Sequence, residues 1–314
     1  MSVTPALRPR QPMSIAMLAF DGVRLLDVTG PLEVFDVAVS LGIGYQVTMC
    51  SPDGADVTTS GGLRLGVERA ASSVGAVDTL VVPGGECLVA PGPSPRLLAA
   101  IRALAPQARR VTSVCAGAFA LGAVGLLDGR RAATHWRLTD TLGQRFPRVT
   151  VDREAIYVRD GHVLTSAGVS AGIDLALALV DEDAGDEVAH RIAQELVVFM
   201  RRHGAQPQLS VPARTARPRS SPLRKLCDEV AADPAGDHSV TSMAVRVGLS
   251  TRHLTRLFKA EVGLTPTAYV ASMRKEAAIA LVLAGETVTA AARRSGLGSD
   301  ETLRRLLHGD RHAR

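Results

Sequence analysis

Apolar positions along this chain follow two rhythms. Between residues 14 and 182, short unbroken apolar runs alternate with stretches in which apolar residues recur three and four apart. The runs at 15–20, 45–50, 79–82 and 111–114 have the length and β-branched content of strands buried on both faces. The helical rhythm predicts helices over 31–41, 95–104, 116–125 and 171–180, and a further helix over 186–202 with Val188, Ile192, Leu196 and Phe199 on one face. Strands alternating with helices predict a doubly wound, mostly parallel sheet of flavodoxin-like form, covered on both sides. The last helix would pack on the sheet or on a second copy of the chain.

The rhythm then breaks. Residues 203–222 hold Pro207, Pro212, Pro218 and Pro222 with scattered arginines and little apolar periodicity, which predicts an extended, mobile linker. From residue 223 onward every segment reads as helix or turn, including a long helix opened by Thr265-Pro266 and running to about residue 284. The expected domains are therefore 13–202, the linker 203–222, and a small all-α domain over 223–314.

One pattern occurs twice in that last domain. Its first copy runs from Met243 through Gly248, Leu249 and Ser250 to Leu254, Arg256, Leu257 and Phe258. The second runs from Ala291 through Gly296, Leu297 and Ser299 to Leu303, Arg305, Leu306 and Leu307. Each is a short helix, a glycine turn and a second helix with basic residues between its apolar ones, which is a helix-turn-helix. The glycine supplies a left-handed helix end, and Ser250 and Ser299 are the expected N-caps of the second helices.

Charge sharpens this. Residues 1–210 carry 19 Arg, no Lys and 21 acids, a net of −2, whereas residues 211–314 carry 17 basic residues and 10 acids, a net of +7. A basic helical domain with a repeated helix-turn-helix has the footprint of a duplex-DNA reader. In the first unit Leu254, Leu257 and Phe258 form the inward stripe, leaving Thr251, Arg252, Thr255, Arg256 and Lys259 outward. Arg252 and Arg256 can bond guanine edges bidentately, with Thr255 beside them, and Lys259 is placed for phosphate. In the second unit the outward positions are Asp300, Glu301, Arg304 and Arg305, where the acids either accept from cytosine amino groups or only cap the helix.

With 314 residues and 46% hydrophobic content the chain can bury two cores. Its longest apolar runs are too short to span a bilayer, and Arg8, Arg10, Pro5, Pro9 and Pro12 precede any apolar run at the start, so no secretory leader is expected and the location is expected to be cytoplasmic. Cys50, Cys87, Cys115 and Cys227 lack metal-ligand spacing and are expected as reduced thiols, with no cofactor and no metal.

Residues 223–308 resemble the AraC/XylS-type DNA-binding domain, through Ala244, Gly248-Leu249-Ser250, His253-Leu254, Arg256-Leu257-Phe258, Gly263-x-Thr265-Pro266 with Tyr269, and Gly296-Leu297-Gly298-Ser299. The resemblance implies two helix-turn-helix units, joined by a long helix, entering successive major grooves. After Leu307 the chain runs to Arg314 where that family continues through a Gly-x-x-Pro turn and a final helix. The second unit is therefore expected to be less well supported than the first.

In the first domain, Val111-Thr-Ser-Val-Cys115-Ala116-Gly-Ala-Phe119 has the form strand, sharp turn, helix with a thiol at the turn. With Leu26-Asp27 through Phe35, Val82-Pro83-Gly84-Gly85, Leu126 to Arg130 and Thr134-His135-Trp136, it resembles the ThiJ/PfpI-like branch of the class I glutamine amidotransferase-like superfamily. Joined to the AraC-type domain, it is similar to the GlxA family of transcriptional regulators. In enzymes of that superfamily the elbow cysteine is the nucleophile, an acid after the first strand contacts it, and a Gly-Gly turn helps bind an oxyanion. The matching positions here are Cys115, Asp27 and Gly84-Gly85, with His135 as the nearby candidate base. Ala116 stands where hydrolytic members resembling PfpI place their histidine.

Two readings follow. In the first, a pocket of Asp27, Gly84, Gly85, Cys115, Ala116 and His135 senses a small polar effector, in a sequence-specific regulator whose partners are duplex DNA, a second copy of the chain and RNA polymerase. In the second, the domain is a cysteine-dependent enzyme, a hydratase or glyoxalase-like hydrolase, fused to a DNA-binding module. The fusion to a DNA reader favours the sensor. Cys115 is also the thiol placed to respond to oxidants.

Overall fold

The apolar run after residue 12 becomes strand β1 (Met13–Leu18), in which Ile15 to Leu18 are all buried, as a strand covered on both faces requires. The computed structural model describes residues 12–199, 201–204, 206–283 and 285–308. The N-terminal Arg/Pro segment through residue 11 and the terminal residues 309–314, on which the sequence expectations about a leader and a shortened end rest, lie outside them. The chain divides into two compact units, Met1–Gln208 and Leu209–Arg314.

In the first unit β1 is joined by β2 (Tyr45–Ser51), β3 (Arg69–Ala70), β4 (Val77–Val82), β5 (Ala108–Val114), β6 (Tyr157–Asp160) and β7 (Val163–Ser166). They form one sheet in the order β6-β7-β5-β4-β1-β2-β3, parallel throughout except for the antiparallel edge pair β6-β7. The chain leaves β1 toward β2 but builds β4 and β5 on the other side. Right-handed crossovers then put α1 (Leu25–Ser40) and α2 (Pro95–Leu104) on opposite faces. The switch point lies between β1 and β4, where such sheets open a crevice at their carboxyl ends. Helices α3 (Gly117–Ala123), α4 (Thr139–Arg145), α5 (Ala171–Ala184) and α6 (Asp186–Glu195) complete the unit.

Several elements differ from expectation. Helix α1 begins at Leu25, six residues before Pro31, so the proline lies inside the helix and Asp27 falls in its first turn. Strands β6 and β7 were not expected. The helix expected over 186–202 ends at Glu195. Val198 N–H reaches Ala193 O (2.8 Å) and Val197 N–H reaches Gln194 O (3.0 Å), a Schellman-type end with Val197 at φ 53° where glycine is usual. Phe199, placed by periodicity on the apolar face, is fully exposed, as Val197 nearly is.

The stretch 203–222 is also more ordered than an extended linker. Ile156 N–H bonds Gln206 O (3.1 Å), Gln208 N–H bonds Glu154 O (2.8 Å), and the Gln208 side-chain amide donates to Thr134 O (2.9 Å), so its first residues are held on the first unit. Its next residues form α7 (Val211–Arg214), with Val211 buried in the second unit, and α8 (Ser221–Ala232) already starts at Ser221. Gln206 and Gln208 pair with the first unit through their backbone, and Ala213, Arg214 and Thr215 close a turn on Ser210 and Val211, bonds that periodicity does not reveal.

The second unit continues with α9 (Val240–Arg246), α10 (Thr251–Val262), α11 (Pro266–Leu283), α12 (Val288–Arg294) and α13 (Asp300–His308). Helices α9-α10 and α12-α13 are the two expected helix-turn-helix pairs, joined by α11. Ser250 accepts from His253 N–H (3.2 Å) and Ser299 from Thr302 N–H (3.3 Å), both as N-caps. The first pair packs on α8 and the N-terminal half of α11 through Leu226, Val230, Met243, Leu254, Phe258, Tyr269 and Met273. The second has a separate, smaller core of Ala278, Ala291, Ala292 and Leu303.

Candidate functional site

The switch point brings three loops together. Val114 is the last residue of β5, and the next, Cys115, takes φ 57°, bending the chain into α3. A side chain in that left-handed region is strained, so its surroundings must hold it there. They do so on both sides. Cys115 N–H donates to Ser166 O (3.0 Å), and the Thr134 hydroxyl donates to Cys115 O (2.8 Å). A Cβ at Gly168 would stand 2.2 Å from the Cys115 Cβ, so the segment after β7 closes on the elbow only because it is glycine there.

Asp27 comes from the first turn of α1 and is fully buried. Its Oδ1 accepts from Val169 N–H (2.8 Å) and its Oδ2 from Gly84 N–H (3.2 Å), while its carboxyl group meets the Cys115 thiol. Burial raises the Asp27 pKa, against the opposing pull of Val169 N–H, Arg24 and Gly84 N–H. Burial first, and then the Asp27 charge, push the Cys115 thiol up to about 12. Ala116 N–H, the one amide that favours the thiolate, does not offset them. At neutral pH this cysteine is a protonated, buried thiol and not a ready nucleophile.

The structure thus brings Asp27, Gly84, Cys115 and Ala116 into one cluster. It gives two other candidates different settings. The Gly84 amide expected for an oxyanion is bonded to Asp27, and Gly85 is pressed against Gly22 O, Phe20 and Cys87. His135 is half-buried beside the elbow, with its Nδ1 accepting from Arg137 N–H (3.4 Å) and its ring tilted against the exposed Trp136. Burial, Arg24 and Arg137 lower its pKa. Sequence reasoning missed Arg24, Gly168 and Val169. Arg24 carried no motif, and Gly168 and Val169 follow a mixed stretch, Val163-Leu-Thr-Ser-Ala167, that no apolar rhythm marks.

In the second unit Leu254, Phe258 and Val262 fix the buried stripe of α10, and Thr251, Arg252, His253, Arg256 and Lys259 are exposed. Leu257, expected inward, is only partly buried. His253 was missed as an outward residue, although it lies one turn from Arg256. Thr255 is partly covered, and its hydroxyl donates to Thr251 O (2.8 Å), so it retains only acceptor capacity. On α13, Glu301, Arg304 and Arg305 are exposed, whereas the Asp300 carboxylate accepts from the Thr289 hydroxyl of α12 and ties the two helices.

Paired helix-turn-helix units behind a switch-point α/β fold define a DNA-binding regulator with a DJ-1-like first domain. Residues 13–182 match the DJ-1/PfpI family and residues 243–308 match a helix-turn-helix domain. The chain is 28% identical over 271 residues to the HTH-type transcriptional regulator GbdR of Pseudomonas aeruginosa, covering 84% of this chain and 72% of that protein. It is 40% identical over 184 residues to isonitrile hydratase of Pseudomonas putida, covering 59% of this chain and 78% of that one. A crystal structure of an AraC family transcriptional regulator from Pseudomonas putida superposes with a TM-score of 0.53 at 26% identity, over 59% of this chain and all of that one. The chain belongs to the DJ-1/PfpI family, and its helix-turn-helix region makes it an AraC-type, GlxA-like member. Among the described residues no helix is long and apolar enough to cross a membrane, and no group of three or more His, Cys, Asp or Glu is arranged to hold a metal ion.

Proposed function

We propose that this AraC-family transcriptional regulator binds specific duplex DNA through α10 and α13 and senses a small polar molecule at the Asp27–Cys115 elbow. The observation that carries the reading is the repeated helix-turn-helix, whose first copy exposes Arg252 and Arg256 on the helix that enters a groove. Thr251, Thr255 and Lys259, with Glu301, Arg304 and Arg305 of the second copy, complete the contact set; Asp300 serves chiefly to hold α13. The protein acts in the cytoplasm as a homodimer, with RNA polymerase as a further partner. The exposed Val197 and Phe199 support a second copy as the cover for that apolar end. An effector shifts the outcome only by binding one arrangement better than another.

Selection from random DNA, followed by titration of the selected site, tests this. A reproducible motif whose binding falls with Arg256→Ala is expected; no motif at moderate salt would sink the reading.

A second reading, a cysteine-dependent hydratase, draws on the relative of that name. The protonated thiol and the bonded Gly84 amide weigh against turnover. Isonitrile hydration by the purified chain that is lost in Cys115→Ala would favour this reading instead.

A further inference from the structure

The two helix-turn-helix pairs of the second unit have separate cores, and both draw on α11. Its N-terminal half gives Tyr269, Val270 and Met273 to the first core, and its C-terminal half gives Ala278, Ile279 and Val282 to the second. Arg274 lies at the seam. Its side chain does not run outward to solvent: Nε donates to Pro234 O (2.9 Å) and the Nη2 amine to Gly236 O (3.0 Å), both in the loop between α8 and α9. The turn of the second pair rests on the same place. A Cβ at Gly296 would stand 2.8 Å from Ala235 Cα and 3.1 Å from Arg274 Nε. Beside this three-way contact the halves face each other across a groove of about 370 Å³, lined by Asp237, Ser239, Thr267, Ala271 and Leu297.

An 18-residue helix alone is a weak spacer. It spans about 27 Å, roughly three quarters of a duplex turn of about 34 Å, so a small bend or twist at its middle displaces the far reading helix along the groove. The second core, with three alanines among its four buried residues, contributes little apolar area to resist that. Bonds from one planar guanidinium to two carbonyls of a fixed loop supply a directional restraint where the packing is thin.

We infer that Arg274, through the Pro234–Gly236 loop and the Gly296 turn seated on it, is the positioning residue that sets one spacing between the two DNA-reading helices. The inference rests on the DNA-binding reading above. It makes half-site spacing a property of a side chain remote from the bases.

The test is selection from random DNA with the full chain and with Arg274→Ala, followed by titration on the selected bipartite site and on its first half alone. The wild type is expected to return two half-sites at a single spacing. Arg274→Ala should return several spacings or the first half only, with binding to the bipartite site at least tenfold weaker and binding to the first half within threefold of wild type. Arg274→Lys, which keeps the charge but cannot span both carbonyls, should broaden the spacing while leaving thermal unfolding close to wild type, and it decides the matter where the alanine variant does not fold. Unchanged spacing in the lysine variant overturns the clamp, as does equal weakening on the bipartite site and the first half. A wild-type motif with one half only also overturns it, while leaving the regulator reading intact. No wild-type motif at all defeats the regulator reading itself.

Discussion

Gly248 and Gly296 close the two helix-turn-helix turns with nearly the same backbone, φ +66° and +71°, yet only Gly296 is pressed against another segment. A Cβ at Gly248 would meet nothing within 4 Å, whereas one at Gly296 would meet Ala235 Cα at 2.8 Å. The first glycine answers a conformational demand and the second a conformational and a steric one. Asparagine tolerates the left-handed region, so Gly248→Asn should cost under about 1 kcal/mol. Gly296→Asn adds overpacking against backbone and should cost about 2 to 3 kcal/mol more. Urea unfolding followed by helical circular dichroism compares them, and equal losses would show that the Ala235 contact carries no weight.

Cys115 should be slow to alkylate. With its thiol held near 12 by burial and the Asp27 charge, against an ordinary 9.0, the thiolate fraction at pH 8 is on the order of one in ten thousand, not about one in ten. Iodoacetamide labelling read by peptide mass spectrometry should run roughly 1000-fold slower at Cys115 than at a free thiol. Labelling at the free-thiol rate would contradict the buried setting. The folded thiol keeps its proton where the unfolded one releases it. Its contribution to stability is therefore intact below about 9 and lost as pH rises toward 12, and Cys50, also pushed up to about 12, acts in the same direction.

At the amino ends of the strands, acid should unpick a different group. Arg110 is buried, with Nε donating to Thr79 Oγ1 (2.7 Å) and its terminal amines to Asp183 and Glu182, while Tyr45 OH also donates to Asp183 (2.9 Å). Burial works to raise the Asp183 pKa, but Arg110, Tyr45 and Arg109 together hold it below the ordinary 3.8. A lowered carboxylate contributes stability above that value and loses it as pH falls through the folded one. Asp183→Asn should remove about 2 kcal/mol at pH 7, because Arg110 then stays buried with only the more exposed Glu182 as counter-charge, and should flatten acid unfolding below pH 4. Circular dichroism against pH checks both; an unchanged acid limb would exonerate the pair.

How far the sequence carries depends on whether an element is specified locally. Strand β1 and helix α2 were legible because apolar runs and the Ser94-Pro95 start are local signals. Helix α1 starts six residues before the position that Pro31, which resembles a first-turn proline, marks in the sequence, and its start at Leu25 has no side-chain cap to mark it. Strands β6 (Tyr-Val-Arg-Asp) and β7 (Val-Leu-Thr-Ser) each mix two polar residues into four positions, so no apolar run separates them from loop. The site divides in the same way. Cys115 and Gly84 sit in motifs, but the bond of Asp27 to Val169 joins positions 142 apart, and Arg24 acts on Asp27, Cys115 and His135 through space. Neither leaves a trace in spacing.

The two copies of the DNA-reading helix should contribute unequally. Arg252 and Arg256 stand exposed on α10, whose capped start and buried Leu254–Phe258–Val262 stripe fix their direction. On α13 the exposed Arg304 and Arg305 share their helix with Glu301 and with an Asp300 already bonded to Thr289, on a much smaller core. Arg252→Ala and Arg256→Ala should each weaken binding to the selected site by about 1 to 3 kcal/mol and relax the base preference opposite them. Arg304→Ala and Arg305→Ala should cost less than about 1 kcal/mol, and Lys259→Ala should lower the salt slope by about one without changing base preference. Thr255→Val, which keeps the methyl group but removes the one acceptor the hydroxyl still offers, should weaken binding by less than about 1 kcal/mol. Fluorescence anisotropy at several salt concentrations measures all five basic-residue variants and the valine one together. Larger losses at Arg304 and Arg305 than at Arg252 and Arg256 would reverse the assignment, making α13 the principal reader and α10 its support.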